Sequence, residues 1–416
     1  MDIAKLLIRF LFLAGVYFLP DFFIVSGLKR LFQKNQKKAK RIYITSSIGF
    51  FIFIIIAVSL SGSLPPQVIT VINYIFGIFT GFVFFKLGAF IFLLLEDSIR
   101  LPLSYFKRKK THENGKRKFI SRRKFISQTA MVAGLVPFSG FIYGMFRGRY
   151  QFTIKKEILY FENLPQSFEG VTLTHFSDLH IGSWRTGEKD KLEYLVEIIQ
   201  SLQSDILLYT GDIVNSKASE MNGWYDVFKK LSAPLGKFSV LGNHDYGDYV
   251  NWKSEDEKAK NLLQVKEIHP QIGFDLLLDE NRMLEKEGEK LFIVGVENWG
   301  KGDFPKIGDV KKASDGIDNT AFKILLTHDP SHWDAKVLEE EYPPQLTLSG
   351  HTHGFQMGIE TPAFRFSPSQ WVYEQWAGLY EKKKTYLYVN RGIGTVGYPG
   401  RIGIWPEITQ ITLRKK

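Results

Sequence analysis

Cysteine is absent from the 416-residue chain, and this absence removes several classes of function. Without thiols there is no disulfide framework, no thiolate nucleophile, no zinc–thiolate site and no iron–sulfur cluster. Any metal ion that the protein binds must therefore have nitrogen and oxygen ligands.

Acidic residues are scarce in the first 150 positions, where 5 of them stand against 23 lysines and arginines. In residues 151–416 the balance reverses, with 38 acidic and 31 basic residues, so the formal net charge of +11 combines two parts of opposite sign. An acidic surplus gives no broad attraction for a phosphate backbone. Nucleic acid is therefore not expected as a partner, and a nuclease is a minor alternative.

Charge is nearly missing from four long apolar segments of the basic third, at about residues 4–28, 43–62, 68–95 and 125–146. Each is close to the ~20 residues that cross a hydrocarbon core. The sequence thus predicts an all-α transmembrane anchor of about four helices in residues 1–148 and a second domain in residues 149–416. Membrane lipids are the expected partners of the anchor.

Lysine and arginine concentrate in residues 29–41 and 96–124, whereas the connector 63–67 carries no charge. By the positive-inside rule both basic segments face the cytoplasm. The N-terminus and the second domain are then expected on the outer side of the cytoplasmic membrane. Arg122 and Arg123 resemble a twin-arginine export signal before the fourth span, and a second interpretation, two further cytoplasmic charges, gives the same topology.

Two ionisable residues lie inside the predicted spans, Asp21 in the first and Lys86 in the third. Charged groups are costly in a membrane, and both residues lie at a similar distance from the cytoplasmic end of their span. We expect them to form an ion pair between helices. The alternative is that each side chain extends separately to the membrane surface.

Short apolar runs alternate with amphipathic stretches after residue 149, which predicts a mixed α/β domain. Nine strands are expected, at residues 150–161, 171–177, 206–210, 237–241, 291–296, 322–327, 345–349, 385–390 and 409–413, and four helices, at residues 189–203, 223–231, 258–266 and 331–340.

Five of these strands are followed directly by Asp, Asn or His. The segments are Asp178-Leu179-His180, Gly211-Asp212, Gly242-Asn243-His244-Asp245, His328 and Gly350-His351-Thr352-His353. Ligand sites of open α/β sheets form at the carboxyl ends of strands. Each piece alone is weak evidence, but the five together predict one shared site that suits Mn, Fe or Zn.

This ordered pattern resembles that of the calcineurin-like metallophosphoesterase superfamily. The stretches 388–394 and 401–408 resemble the C-terminal part of a bacterial subfamily of membrane-anchored or twin-arginine-exported phosphohydrolases. The resemblance implies a four-layer α/β sandwich, with two mixed sheets flanked by helices, and a centre of two divalent or trivalent metal ions. It also implies hydrolysis of a phosphoester by a metal-activated hydroxide.

By the same resemblance, each predicted site residue has a role. One ion is held by Asp178, His180, Asp212 and His353, the other by Asp212, Asn243, His328 and His351, and His244 donates a proton to the leaving group. An extended chain at 351–353 would let the two histidines point the same way, one to each ion. Asn215 departs from the pattern, because many members have there an aspartate that orients the catalytic histidine, and an amide cannot stabilise an imidazolium by charge.

The segment between Gly354 and Thr385 is rich in aromatic residues and ends in three lysines. Its aromatic members are Phe355, Phe364, Phe366, Trp371, Tyr373, Trp376 and Tyr380. This composition fits two interpretations equally: an apolar lip that admits a lipid-borne phosphate, or ordinary core side chains of a long connection.

The function expected from these features is a membrane-anchored hydrolase of a phosphoester or pyrophosphate bond, acting outside the cytoplasm on a lipid-linked or envelope substrate. One alternative is the same chemistry on a soluble phosphoester, with the anchor as a tether. Another is a non-catalytic membrane scaffold or sensor that keeps the fold, against which the complete ligand set argues.

Overall fold

The computed structural model describes residues 3–60, 66–108, 119–302 and 304–416. The chain divides into two compact units, Met1–Met145 and Phe146–Lys416. The division falls three residues before the boundary expected from the sequence.

The described part of the first unit consists of four long helices, α1 (Ile3–Leu31), α2 (Gln36–Leu60), α3 (Pro66–Arg108) and α4 (Phe119–Phe146). Each contains a window long and apolar enough to cross a membrane, so the predicted all-α membrane region is confirmed. Helix α2 begins before the predicted span because lysine and arginine are good helix formers. The connector 63–67 and the basic segment 96–124 lie partly outside the described residues.

Asp21 and Lys86 form the ion pair expected from the sequence. The Lys86 Nζ lies 2.9 Å from Asp21 Oδ1, 2.7 Å from Ser47 Oγ and 3.4 Å from the centre of the Tyr17 ring. The hydroxyl of Tyr43 donates to the same carboxylate at 2.5 Å. The cluster therefore links α1, α2 and α3, and both charges have polar partners within an apolar helix bundle.

Fourteen strands in the described part of the second unit build two six-stranded sheets and one small hairpin. The strands are β1 Thr153–Phe161, β2 Thr172–Phe176, β3 Ile206–Tyr209, β4 Lys237–Ser239, β5 Asp275–Leu276, β6 Glu280–Lys286, β7 Glu289–Gly295, β8 Phe322–Leu326, β9 Leu346–Ser349, β10 Ile359–Glu360, β11 Arg365–Phe366, β12 Gly378–Lys382, β13 Thr385–Val389 and β14 Glu407–Lys415. The sheet orders are β1-β14-β2-β3-β4-β5 and β12-β13-β9-β8-β7-β6, and β10 pairs with β11.

Among the described residues, five helices accompany the sheets, α5 (Lys189–Ser201), α6 (Tyr225–Phe228), α7 (Glu255–Gln271), α8 (Val310–Ala313) and α9 (Ser331–Ala335). Because side chains alternate along a strand, Ile206 and Leu208 of β3 lie in the core between the two sheets. Leu207 belongs to the core that holds α5 and α7. On the second sheet, Leu325 packs with Trp333 of α9. The predicted four-layer sandwich is confirmed.

All nine predicted strands are present, and the structure adds β5, β6, β10, β11 and β12. Strand β6 is rich in charged residues and has one neighbour in its sheet, β7, so its sequence lacks the apolar run of a central strand. The helix expected at 331–340 is divided, because α9 ends at Ala335 and a 3-10 turn covers Val337–Glu339.

Parallel pairing explains why the motifs can meet. Strands β2, β3 and β4 run parallel to one another, as do β8 and β9 of the second sheet. Their carboxyl ends therefore lie at one edge of each sheet, and the loops that follow them carry the predicted site residues.

Candidate metal centre

The first group of predicted ligands consists of Asp178 and His180, which follow β2, and His353, which follows β9. Their donor atoms lie within 4.8 Å of one another and all three residues are buried. The Nε2 atoms of His180 and His353 are 3.1 Å apart, and Asp178 Oδ1 lies 3.3 Å from His353 Nε2. A carboxylate and two imidazoles that face one point are a donor set suited to a divalent cation.

The second group consists of Asp212, His328 and His351, whose donor atoms also lie within 4.8 Å of one another. His328 Nε2 lies 3.1 Å from Asp212 Oδ2, 3.2 Å from His351 Nδ1 and 3.1 Å from Asn243 Oδ1. The other three residues predicted for the second ion are thus gathered around the Nε2 atom of His328.

Asp212 lies between the two groups. Its Oδ2 atom is 3.1 Å from His328 Nε2 in the second group and 3.5 Å from His180 Nε2 in the first. One carboxylate therefore reaches both groups, which is the position that the resemblance implies for a shared ligand.

Five of the seven predicted ligands have left-handed backbone conformations. The φ angles are 55° at Asp178, 44° at His180, 59° at Asp212, 72° at His351 and 50° at His353. The segment 351–353 is therefore not extended, and the expectation that alternation directs its two histidines is wrong. Such conformations are costly for residues other than glycine and concentrate at functional sites, where the surrounding structure imposes them.

Main-chain carbonyls determine which nitrogen of two histidines faces the site. His328 Nδ1 lies 2.7 Å from the carbonyl oxygen of Thr210, and His244 Nδ1 lies 2.8 Å from that of Asn215. A carbonyl can only accept, so in the neutral ring each Nδ1 carries the proton and each Nε2 has a lone pair.

His244 lies beside both groups, and its donor atom lies within 4.8 Å of those of His180 and Asp212, in a third group that could hold a metal ion. Its main-chain N–H donates to Asp212 Oδ1 at 2.8 Å, and its ring meets that of His180 edge to face at 4.7 Å. The contact with the Asn215 carbonyl means that the main chain, and not the side chain at position 215, orients this histidine. The substitution of aspartate by Asn215 therefore leaves the orienting hydrogen bond in place.

The charges of the site favour ionised carboxylates. Burial opposes ionisation of Asp212, but the imidazoles of His328 and His244 outweigh it and hold its pKa well below the usual value. Burial also disfavours a charged His328, yet Asp212 and Asp178 raise its pKa to about 10. A cation bound here would take the place of the His328 proton, so the residues fit a metal ion in charge as well as in donor type.

Asp245 is a buried residue to which the sequence argument gave no role. Its carboxylate accepts the main-chain N–H groups of Gly242, Asp212, Ile213 and Val214 at 2.8 to 3.2 Å. It thereby ties the loop after β3 to the loop after β4. Burial and the charge of Asp212 raise its pKa to about 7.

Two further buried charges lie behind the histidines and were also missed. Arg401 Nη2 lies 3.1 Å from His353 Nδ1, and Asp329 Oδ2 lies 3.5 Å from His351 Nε2. Asp329 directly follows the motif residue His328 in the sequence, so its place near the site could have been predicted. Arg401 is 48 residues from His353, and nothing in the spacing connects the two.

The aromatic segment 355–384 is partly core and partly surface. Trp376 packs with Ile404 in a small buried cluster, whereas Trp371 and Phe364 are 74% and 56% exposed. The hydroxyl of Tyr373 lies 2.8 Å from His351 Nε2, so the segment reaches the second ligand group directly.

A four-layer sandwich that gathers carboxylates, an amide and imidazoles at its strand ends defines a metal-dependent hydrolase. The family model for the calcineurin-like phosphoesterase matches residues 171–355, and one described as "Probable Calcineurin-like phosphoesterase, transmembrane domain" matches residues 6–149. The "Uncharacterized metallophosphoesterase YkuE" of Bacillus subtilis is 30% identical over 71% of this chain and 99% of its own length. The chain belongs to the calcineurin-like metallophosphoesterase family.

Other relatives match a smaller part of this chain. The "Transmembrane protein with metallophosphoesterase domain" of Danio rerio is 30% identical over 61% of this chain and 55% of its own length. The "UDP-2,3-diacylglucosamine pyrophosphatase LpxG" of Chlamydia muridarum is 27% identical over 56% of this chain and 81% of its own length. The protein is thus a membrane-associated, metal-dependent phosphoester hydrolase.

Proposed function

We propose that this protein hydrolyses a phosphoester or pyrophosphate bond of a lipid-linked substrate outside the cytoplasm, with two metal ions. The observation that carries the proposal is the pair of candidate ligand groups with Asp212 lying between them. Metal ions bound there supply Lewis-acid activation of water and neutralise the phosphoryl oxygens.

Each protein group has a defined task in this proposal. Asp178, His180 and His353 would hold one ion, Asn243, His328 and His351 would hold the other, and Asp212 would be a ligand common to both. His244 directs Nε2 towards the ligand groups because the carbonyl of Asn215 holds the proton on Nδ1. When protonated on both nitrogens, it can give the Nε2 proton to the leaving oxygen, a contribution of about 10²–10⁴ in rate.

A lipid-linked substrate is supported by three features. The chain carries four helices able to span a membrane, and the segment that contacts His351 exposes Trp371 and Phe364. A relative at 27% identity is named as the pyrophosphatase of a diacylated nucleotide sugar. We infer that these exposed side chains form a lip that accepts apolar parts of the substrate.

A cavity beside Tyr373 offers room for the group attached to the phosphate. Its volume is about 320 Å³, and its lining includes Trp299, Lys301, Val372 and Gln375. This is the lower end of the range for small-molecule sites. The lining also includes Ala335 and the carboxylates of Asp334 and Glu374, so the cavity combines apolar surface with groups of both charges.

The test compares substrates on the full-length protein in lipid nanodiscs with Mn²⁺. We expect a lipid pyrophosphate to be hydrolysed with a kcat/KM at least tenfold above that of a water-soluble nucleotide sugar or an aryl phosphate. Equal rates on all three would favour the soluble-substrate alternative. No hydrolysis of any of them, by protein with bound metal, would contradict the proposal as a whole.

The side of the membrane is tested separately with reporters fused to the C-terminus. We expect an alkaline phosphatase fusion to be active and a green fluorescent protein fusion exported through the unfolded route to be dark. The reverse pattern would place the catalytic unit in the cytoplasm and leave the site chemistry untouched.

A further inference from the structure

Two tyrosines outside the family motifs reach the second ligand group from different loops. Tyr249 follows the Asn243-His244 motif, and its hydroxyl oxygen accepts from Asn243 Nδ2 at 2.6 Å. Tyr373 comes from the aromatic segment 355–384, and its hydroxyl lies 2.8 Å from His351 Nε2. In Asn243, Oδ1 faces His328 and Nδ2 faces Tyr249. In His351, Nδ1 faces His328 and Nε2 faces Tyr373.

The proton of each hydroxyl follows from the donor and acceptor inventory. An amide nitrogen can only donate, so Tyr249 Oη accepts and its own O–H remains available. His351 faces the ligand group with Nδ1, which must have a lone pair to hold an ion, so Nε2 carries the proton and donates to Tyr373 Oη. The O–H of Tyr373 is then available as well. Phenols keep this proton at neutral pH.

Both hydroxyls lie beside the candidate metal centre. The Tyr249 ring stacks on His244 at 4.1 Å, and the side chain is 50% exposed, so it borders the approach to the proposed acid. Tyr373 lines the 320 Å³ cavity and contacts His351. When His351 carries its proton on Nε2, no described residue accepts a hydrogen bond from either hydroxyl, which leaves both donors for a bound molecule.

We propose that Tyr249 and Tyr373 donate hydrogen bonds to phosphate oxygens of the substrate and form a phosphate-binding subsite beside the second ligand group. This inference rests on the proposed function. It assigns a substrate contact to two residues that the motif pattern does not include. It also gives the aromatic segment a chemical role besides its exposed apolar surface.

The competing explanation is that the two phenols only orient Asn243 and His351. Other acceptors are at hand for those ligands, because Asp329 Oδ2 lies 3.5 Å from His351 Nε2 and the half-exposed Tyr249 position admits water. Loss of the hydroxyls should therefore leave the metal in place. It should weaken phosphate binding, since a hydrogen bond to a charged group corresponds to about 10- to 100-fold in affinity.

The experiment measures metal content and phosphate affinity on the same full-length protein. Tyr249→Phe and Tyr373→Phe, singly and together, are loaded with Mn²⁺, assayed by mass spectrometry for bound metal, and titrated with inorganic phosphate by calorimetry. We expect wild-type metal content with phosphate affinity lowered about tenfold or more in each single variant and further in the double variant. Tyr160→Phe, an exposed tyrosine of β1, is the control and should change neither quantity.

Two results would overturn the inference. One is an unchanged phosphate affinity in the double variant. The other is a loss of bound metal while the molecules that keep their metal bind phosphate as tightly as the wild type, which would show that the tyrosines only position the ligands. Phosphate binding is measured without turnover, so an inactive wild-type protein would count against the proposed function and not against this subsite.

Discussion

Replacing Gly392 by alanine should displace the first ligand group without replacing any of its side chains. Gly392 has a φ of +72°, and a Cβ built on it lies 2.6 Å from the Cβ of Asp178. Non-bonded carbon atoms prefer about 3.5–4.0 Å, so one of the two residues must move by about 1 Å. Asp178 also accepts the main-chain N–H of His351 at 3.0 Å, so its displacement reaches the second group.

Gly397→Ala is the matched control in the same C-terminal stretch. Its φ is +69°, and in the described part of the chain nothing lies within 4 Å of a built Cβ. Both variants carry the backbone cost of about 1–2 kcal/mol for a left-handed L-residue, but only Gly392→Ala adds the collision. Since a displacement of about 1 Å can cost about 10²-fold in rate, we expect that loss in kcat/KM for Gly392→Ala alone.

The assay combines thermal unfolding, bound metal by mass spectrometry and hydrolysis of an aryl phosphate by the full-length protein in detergent. Both variants should unfold at a lowered temperature, and Gly392→Ala at the lower of the two because of the added collision. Gly392→Ala should bind less metal, whereas Gly397→Ala should keep the metal and the activity of the wild type within about twofold. Equal metal content and equal activity in the two variants would refute the idea that Gly392 makes room for Asp178.

Three further predictions concern other parts of the molecule. Asp21→Asn or Lys86→Gln alone should destabilise the full-length protein in detergent by about 3–5 kcal/mol, and a double variant that equals the sum of the two would show that the pair does not interact. Burial lowers the pKa of His269 to about 3, so this side chain is neutral in the folded protein. The stability that comes from keeping it neutral is fully present above about pH 6.5 and is lost as the pH falls towards 3. Between pH 8 and pH 4.5, metal-free wild type should lose about 3 kcal/mol more unfolding free energy than His269→Gln, and equal losses would contradict the assignment. Trp371→Ser with Phe364→Ser should lower hydrolysis of a bilayer-borne substrate at least threefold and leave aryl phosphate hydrolysis unchanged, whereas an equal change in both would count against the lip.

The meeting of the candidate ligands at one edge could be predicted because each motif follows an apolar strand. Parallel pairing of β2 with β3 and of β8 with β9 brings strand ends together whatever the loops do. The same pattern of apolar runs predicted the four membrane helices, and the depth of Asp21 and Lys86 predicted their pairing. These features depend on local composition and on the general geometry of sheets and helices.

The surroundings of the ligands depend on contacts that sequence spacing does not encode. Tyr373 and Arg401 reach His351 and His353 from positions 22 and 48 residues away, and only the folded loops bring them there. The resemblance compared side chains at position 215, but the carbonyl of Asn215 makes the hydrogen bond, and a main-chain acceptor is present whatever the residue type. The left-handed conformations at 351 and 353 likewise follow from the tertiary structure, not from alternation along an extended chain.

The central claim, that two ions share Asp212 and carry out the hydrolysis, is tested most directly by metal stoichiometry measured together with activity. Full-length wild type, Asp212→Asn and the exposed-site control Asp226→Asn are loaded with Mn²⁺, freed of excess metal and assayed. We predict two ions per chain and full activity for the wild type and the control. Asp212→Asn should retain fewer than one ion per chain and lose hydrolysis by at least 10³-fold. A single ion in the wild type, or an Asp212→Asn variant that keeps its metal and its activity, would contradict the account.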